Sequence, residues 1–162
     1  LREFKWGLRR GEDDGCFESA LGAVRRFGGV LEHPAWSDAF PAFGLPTPTR
    51  AWQRTTDGAW VCALDQASYG HRAKKPTWLY AVGIDPPAMR WRRIQHTGVW
   101  VSDCHNHERG KVVKRLGKRE RRATPIAFRD LLLSIARSVQ RGERGAASAR
   151  ANASLPLVRS SS

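Results

Sequence analysis

The sequence predicts an α/β fold in which short buried strands are combined with amphipathic helices. Apolar residues recur at helical spacing over residues 17–27 and again after Thr124. Between these two helices, three short apolar runs have the length and composition of buried strands. A chain of 162 residues is long enough for one domain with a hydrophobic core.

The first predicted elements are a helix and a strand. Asp13 or Asp14 is placed to cap the helix over residues 17–27, and two glycines supply its C-terminal stop. The following residues 30–34 begin with Val-Leu and end in Glu-His-Pro. This pattern predicts a buried strand whose polar end, which includes Glu32, emerges at an edge of the sheet.

The middle of the chain contains a loop region and further strands. Residues 34–58 are rich in Pro, Trp and turn formers, and we expect one short helix within residues 36–43. Residues 60–66 predict a second strand, and residues 77–84 predict a third that is apolar on both faces and therefore central. A further short strand is expected at residues 99–101.

The end of the chain divides into a helix and a tail. Thr124 is placed to cap the helix, with Pro125 at its first position, and the apolar residues that follow share one face. The last segment is dominated by Gly, Ala, Ser and Arg, with too little apolar surface to offset the entropy of ordering. We therefore predict a basic N-terminal segment over residues 1–12, which we expect to be truncated, a folded domain over 13–141 and a disordered tail over 142–162.

The chain is strongly basic. Its 28 Lys and Arg residues against 15 Asp and Glu residues give a formal net charge of +13. Such an excess attracts phosphate backbones through counterion release, so nucleic acid is the predicted partner, and a solvated basic surface without a ligand is the alternative. The densest run predicts phosphate contacts from Lys111, Lys114, Arg115, Lys118, Arg119, Arg121 and Arg122. Most of the seven Trp residues are expected in the core or in loops, and three could stack on bases: Trp36, Trp52 and Trp91.

The apolar runs and the cysteines predict a compartment. No run approaches the roughly 18 apolar residues that a membrane helix needs, and the N-terminal segment lacks the apolar core of a signal peptide. Three widely spaced cysteines favour reduced thiols over a disulfide framework. We expect a cytoplasmic protein that has no membrane contact.

Three segments occur in an order that is found in one enzyme family. An amphipathic helix leads into residues 29–34, GVLEHP, where the family has a strand ending in Glu-Asn-Val or Glu-Asn-Pro. Residues 64–83, LDQASYGHRAKKPTWLYAVG, stand where the family has a Tyr-Gly turn, a Gln-x-Arg-x-Arg element and an apolar strand ending in Gly. Residues 122–125, RATP, stand where it has Arg-x-Leu-Thr-Pro and a helix. Over about residues 14–140, the chain thus resembles the 5-cytosine DNA methyltransferases and their divergent phage-type relatives.

This resemblance implies a fold and a site. The fold is a partial Rossmann-like methyltransferase sheet, made of the later strands with an antiparallel end hairpin and flanked by helices. Glu32 becomes the catalytic residue, a carboxyl that hydrogen-bonds and protonates a cytosine flipped out of the duplex. A carboxylate that caps a loop or pairs with an arginine is the other interpretation. The resemblance also implies substrate or DNA contacts from His33, Tyr69, Arg72, Lys74, Lys75 and Thr77.

The sequence departs from the family at three places. Lys75 stands at an arginine position, which keeps the charge but loses the planar fork, and a solvated basic turn is the alternative interpretation. The Phe-x-Gly-x-Gly turn that holds the methyl donor and the Pro-Cys pair that carries the nucleophile do not occur in the chain. Cys16 lacks the preceding Pro and is expected to be an inert thiol at the start of a helix.

These departures define the predicted function. We expect the DNA-binding and target-base part of a DNA cytosine-5 methyltransferase-like protein of a bacterial or phage-infected cell. S-adenosylmethionine would be a cofactor of the complete enzyme only, with its site supplied by a missing N-terminal half or by a second chain. The chain alone should not transfer a methyl group. The alternative is a non-catalytic, basic nucleic-acid-binding module, such as a phage accessory protein.

A metal-dependent nuclease is a third class of function. Asp103, Cys104, His105, His107 and Glu108 offer possible ligands within six residues. Neighbours in so tight a string cannot easily surround one tetrahedral ion, and no second Cys or His pair stands at zinc-site spacing. We therefore expect an ordinary polar loop here and no bound metal.

Overall fold

The computed structural model describes residues 13–92, 99–100 and 114–153, with side chains for residues 13–92 and 116–139. The described residues form helices, strands and one 3-10 turn. In order they are α1 (Cys16–Phe27), β1 (Gly29–Pro34), α2 (Ala39–Ala42), β2 (Gln53–Arg54), β3 (Trp60–Asp65), a 3-10 turn (Gln66–Tyr69), β4 (Pro76–Val82), β5 (Val99–Trp100), β6 (Lys114–Arg115), α3 (Lys118–Arg122) and α4 (Ile126–Ala153).

Four strands form one sheet in the order β1-β4-β3-β2, and each neighbouring pair is antiparallel. The register places Leu79 of β4 between Glu32 of β1 and Cys62 of β3. Since β4 is antiparallel to both of its neighbours, β1 and β3 run parallel to each other on either side of it. The short strands β5 and β6 form a separate parallel pair.

Side chains alternate between the two faces of the sheet, and each face carries its own hydrophobic cluster. On one face, α1 and α2 pack on the sheet through Phe17, Leu21, Phe40, Trp78 and Tyr80. On the other face, α4 packs on it through Phe128 and Ile135, together with Cys62, Leu64, Tyr69, Leu79, Ala81 and Met89. The described domain therefore has three layers, with helices on both sides of a central sheet.

The predicted α/β fold with flanking helices is confirmed, and most elements lie close to their predicted bounds. The N-cap of α1 is Gly15 and not Asp13 or Asp14 as predicted, although the Asp13 carboxylate accepts a hydrogen bond from the Phe17 N–H of the first turn at 2.8 Å. The third predicted strand, β4, is central and buried as predicted. Gln66, predicted to end the second strand, instead begins the 3-10 turn, because the Asp65 side chain caps that turn.

Two predictions differ from the structure. A Rossmann-like arrangement is not confirmed, because no neighbouring strands within the four-stranded sheet are parallel. The tail predicted as disordered from residue 142 is helical as far as Ala153. Ala and Arg have high helix propensities, and the preceding part of α4 has already nucleated the helix. Extension of the helix therefore does not require a buried face in this segment. Residues 1–12 and 154–162 lie outside the described residues.

Candidate functional site

One end of the sheet gathers a group of polar side chains around Glu32. Near this end, β1 and β4 pair Pro34 with Thr77, and the 3-10 turn brings Gln66 alongside. The Gln66 amide donates hydrogen bonds to the Glu32 Oε1 at 3.2 Å and to the Thr77 Oγ1 at 3.0 Å. We call Glu32, Gln66, Lys75 and Thr77 the Glu32 cluster.

The carboxyl group of Glu32 lies at the boundary between protein and solvent. The residue as a whole is exposed, whereas Gln66 and Thr77 beneath it are buried. Partial burial of the carboxyl raises its pKa, and the Lys75 charge and hydrogen bonds from Thr77 and Gln66 oppose that rise. A carboxyl with a raised pKa retains its proton more readily, which is the property that a general acid needs.

Lys75 is the cation whose charge acts on the pKa of the Glu32 carboxyl. Burial lowers the pKa of the Lys75 amine, and the neighbouring Glu32 charge raises it. Its Nζ donates a hydrogen bond to the Ala123 carbonyl at 3.1 Å, just after α3. Lys75 therefore links the Glu32 cluster to the basic helix α3.

The helix α3 is docked on the turn that precedes β4. Arg72 forms an ion pair with Glu120, and the His71 Nε2 lies 3.3 Å from the Glu120 carbonyl. The second Glu120 carboxylate oxygen accepts from the Gly117 N–H at 3.2 Å. Glu120 thus fixes α3 beside the turn and leaves three of its cations exposed to solvent: Lys118, Arg119 and Arg122.

We call the cationic surface at this end of the sheet the basic end. It consists of Arg72, Lys74, Lys75, Lys118, Arg119, Arg121 and Arg122. Glu32 lies at the same end, because it is next to Lys75, which belongs to the basic end. Lys75 therefore connects the Glu32 carboxyl with the cationic surface.

His33 does not join the Glu32 cluster. Consecutive residues of a strand point to opposite faces, so His33 faces α1. Its Nε2 lies 2.7 Å from the Ser37 Oγ, and its ring meets the Phe17 ring edge-on with the centroids 4.9 Å apart. Burial lowers the pKa of this imidazole. The predicted substrate contact from His33 therefore has no support from its position.

Tyr69 is also placed away from any open surface. Its ring is buried 5.5 Å from the Phe128 ring, and its hydroxyl oxygen accepts from the Arg90 N–H at 3.0 Å. These contacts anchor the 3-10 turn to α4 and explain the Tyr at this position without a bound base. Glu32, Lys75 and Thr77 are thus the predicted site residues that the fold brings together.

Several predicted residues fall outside what the structure describes. Lys111 lies outside the described residues, as do Cys104, His105 and His107. Lys114 and Arg115 form β6, but their side chains are not described. Among the residues that are described, no group of three His, Cys, Asp or Glu side chains could hold a metal ion.

A pocket beside the basic end was not predicted from the sequence. It has a volume of about 210 Å³, and the residues that line it include Trp36, Arg50, Asp65, Lys74 and Trp78. Trp36 was predicted as a possible base-stacking residue, but no pattern in the sequence connects it with Arg50 or Asp65, which lie 14 and 29 residues further along the chain. Trp52, by contrast, donates its indole N–H to the Pro87 carbonyl at 2.9 Å and packs on the core.

A second polar group joins α1 to the β2–β3 turn. Arg25 donates to the Tyr80 hydroxyl and to Asp57, each at 3.2 Å, and the Tyr80 hydroxyl donates to Asp57 at 2.9 Å. Hydrogen bonds from Thr55, Tyr80 and Ala59, with the Arg25 charge, lower the pKa of Asp57 although burial opposes them. Because its members satisfy one another, we interpret this group as a structural link between helix and sheet.

The chain matches no protein-family model, no curated protein and no solved structure. In the part of the chain that is described, no helix has the length and apolarity to cross a membrane.

Proposed function

We propose that this chain is the DNA-binding and target-base part of a DNA cytosine-5 methyltransferase-like protein, in which Glu32 meets the cytosine. The observation that carries the proposal is the placement of the Glu32 carboxyl, exposed and with a raised pKa, next to Lys75 at the basic end. A carboxyl locked inside the core and far from any cation would not support this role.

The chemistry of the carboxyl suits the cytosine ring. A protonated carboxyl can donate a hydrogen bond to N3, and a carboxylate can accept one from the exocyclic amine. The group can therefore stabilise the charge that develops on the ring when C6 is attacked. The raised pKa of Glu32 favours the protonated form. The base must leave the duplex to reach such a group, and the exposed cations of α3 would hold the flanking phosphates.

The strand order is compatible with the later strands of a Rossmann-like methyltransferase sheet. The β3–β4 hairpin is antiparallel and places β4 next to β1, so β1 and β3 have the same direction. In this proposal, the hairpin is the antiparallel end of a larger sheet, and further parallel strands would pair with the free edge of β1. That larger sheet is part of the proposal and not of the described structure.

The residues of this chain do not fit S-adenosylmethionine. The Phe-x-Gly-x-Gly turn and the Pro-Cys pair are absent from the sequence, and the thiol of Cys62 is buried with a raised pKa. We therefore assign the donor site and the nucleophile to another part of the protein or to a partner, and derive no chemical step from them.

A non-catalytic nucleic-acid-binding module is the second candidate function. The observation that favours it is α3, whose Lys118, Arg119 and Arg122 are exposed around the one carboxylate, Glu120, that anchors the helix. Such a surface binds phosphates without any role for Glu32. The two functions therefore differ in what they require of the Glu32 carboxyl.

The proposal is tested by the affinity of the chain for two DNA duplexes, one with a single unpaired cytosine and one with an abasic site at that position. We expect wild type to prefer the cytosine duplex and Glu32→Ala to lose that preference, by about 2- to 10-fold for a hydrogen bond to the base. Glu18→Ala removes an exposed carboxylate from α1, on the opposite face of the sheet, and should retain it. Equal affinities for both duplexes would favour the non-catalytic module, and no binding of either would contradict both functions.

A further inference from the structure

We propose that the pocket lined by Trp36, Arg50, Asp65 and Lys74 binds one unpaired nucleotide of a single strand, with its base on Trp36 and its phosphate on the two cations. This inference rests on the proposed binding of nucleic acid, and it adds a second site on the opposite face of the sheet from Glu32. The site takes a nucleotide whose base carries an N–H donor.

Trp36 is presented to solvent at the mouth of this pocket. The residue is 66% exposed, more than any other Trp whose side chain the structure describes, and its backbone has a φ of +62°. The left-handed conformation is strained for a residue other than glycine. The exposed indole contributes no hydrophobic stabilisation that would offset this strain. Packing within the chain explains neither the strained backbone nor the exposed indole, whereas a base stacked on the indole would account for both.

Asp65 supplies a buried acceptor without a partner. The residue is only 5% exposed and lines the pocket. Its Oδ1 accepts from the Ala67 and Lys75 N–H groups at 3.0 and 2.9 Å, but its Oδ2 has no hydrogen-bond partner. An unsatisfied buried carboxylate oxygen is costly, and a small shift of the pocket lining would let an exocyclic amine or ring N–H of a base reach it.

Two cations complete the pocket. Arg50 is exposed and Lys74 half-buried, and neither side chain forms an ion pair or a hydrogen bond within the described part of the chain. Unpaired cations beside an aromatic surface are the combination that binds the backbone and bases of single strands. A free phosphate would need the cations alone, so the indole and Asp65 favour a nucleotide over phosphate.

The pocket is continuous with the basic end. Lys74 lines the pocket, and the next residue, Lys75, contacts the carbonyl that follows α3. A strand whose phosphates lie along Lys118, Arg119 and Arg122 could therefore continue over Lys74 and place one base in the pocket. The arrangement combines phosphate contacts, which give affinity, with one contact that requires a base.

The test compares a fluorescently labelled single strand of about 12 nucleotides with the same strand made of abasic sites, by fluorescence anisotropy. Wild type should bind the base-bearing strand more tightly. Trp36→Ala should weaken that binding about 5- to 150-fold, the effect of losing one base–aromatic stack, and should leave the abasic strand unchanged. Phe27→Ala is the matched control, because Phe27 is 67% exposed and does not line the pocket, and it should bind both strands as wild type does.

Asp65→Asn provides a second variant whose folding should be preserved. The amide oxygen can keep both backbone hydrogen bonds of Oδ1, and the amide nitrogen then replaces the unpartnered Oδ2 with a donor. A donor that faces the N–H of a base should weaken the base-bearing strand about 2- to 10-fold and leave the abasic strand unchanged. Equal binding of the two strands by wild type, or an effect of Trp36→Ala on both alike, would overturn the pocket while leaving nucleic-acid binding intact. No binding of any strand or duplex would instead overturn the proposed function, and the pocket with it.

Discussion

Replacement of Asp65 by Ala should destabilise the fold through two backbone groups that lose their acceptor. The Ala67 and Lys75 N–H groups both donate to Oδ1, at 3.0 and 2.9 Å, and fix the two ends of the turn that carries Arg72, Lys74 and Lys75. An unsatisfied buried donor costs about 1–3 kcal/mol. Both N–H groups are only partly buried, and removal of an unpartnered carboxylate oxygen offsets some of the loss. We therefore expect a net loss of about 2–4 kcal/mol in the free energy of unfolding.

Urea unfolding followed by tryptophan fluorescence and by circular dichroism measures this loss directly. For a chain of this length, it corresponds to a fall of about 4–16 °C in Tm, and the m-value should stay constant if the two-state transition is unchanged. Asp65→Asn keeps an acceptor at the Oδ1 position and should lose less than about 1 kcal/mol. The reasoning would be refuted if Asp65→Ala unfolded within about 0.5 kcal/mol of wild type, or if both variants lost the same amount.

Three further predictions concern individual residues. Gly28→Ala should destabilise the fold by at least about 1–2 kcal/mol, because Gly28 has a φ of +73° and an added Cβ would lie 2.6 Å from Val139. Gly22→Ala in α1 is the control: its added Cβ meets no atom within 4 Å, so it should stabilise the fold by about 0.5–1 kcal/mol. Thermal unfolding of the two variants distinguishes these outcomes. Burial raises the pKa of Glu32 above its ordinary 4.5, so ionisation of this carboxyl opposes folding. The free energy of unfolding of wild type, relative to that of Glu32→Gln, should therefore fall as pH rises through 4.5 towards the folded pKa and then level off. A constant difference between the two proteins across that range would contradict the assigned burial. Burial lowers the pKa of His33 below 6.5, so its imidazole should titrate below that value in an NMR pH series, and titration at or above it would show that the ring is not packed on Phe17.

The elements that the sequence predicts well are those with a strong local signal. Apolar residues at helical spacing located α1, and an unbroken apolar run located the central strand β4. The hydrogen bond between Asp13 and the Phe17 N–H is likewise a local interaction between residues four apart, although the N-cap itself is Gly15. The helix after residue 142 was missed because weak hydrophobicity predicts disorder, whereas helix propensity acts without any buried face.

The site was predicted only in part, because its geometry depends on which strands become neighbours. Glu32, Lys75 and Thr77 were predicted, and the antiparallel pairing of β1 with β4 brings them together. His33 was grouped with Glu32 by adjacency in the sequence, but the alternation of a strand separates them. Tyr69 was assigned to substrate because of its Tyr-Gly pattern, and packing on α4 accounts for it instead.

The pocket could not be predicted, because its parts belong to separate segments with no shared pattern. Trp36 follows β1, Arg50 lies in the loop before β2, and Asp65 ends β3. The unpartnered Asp65 oxygen is visible only when all of the neighbouring donors have been placed. Hydrogen-bond satisfaction is a property of the folded chain and leaves no periodic trace in the sequence.

The salt dependence of duplex DNA binding tests most directly whether the basic end holds nucleic acid. The logarithm of the binding constant should fall linearly with the logarithm of salt concentration, and joint replacement of Lys118, Arg119 and Arg122 by Ala should reduce the slope by about one for each phosphate that is no longer neutralised. A matched variant with Arg26, Arg54 and Arg137, three exposed arginines outside the basic end, replaced by Ala should keep a steeper slope. An α3 variant that binds as tightly as wild type, with the same slope, would contradict the assignment of this surface to nucleic acid.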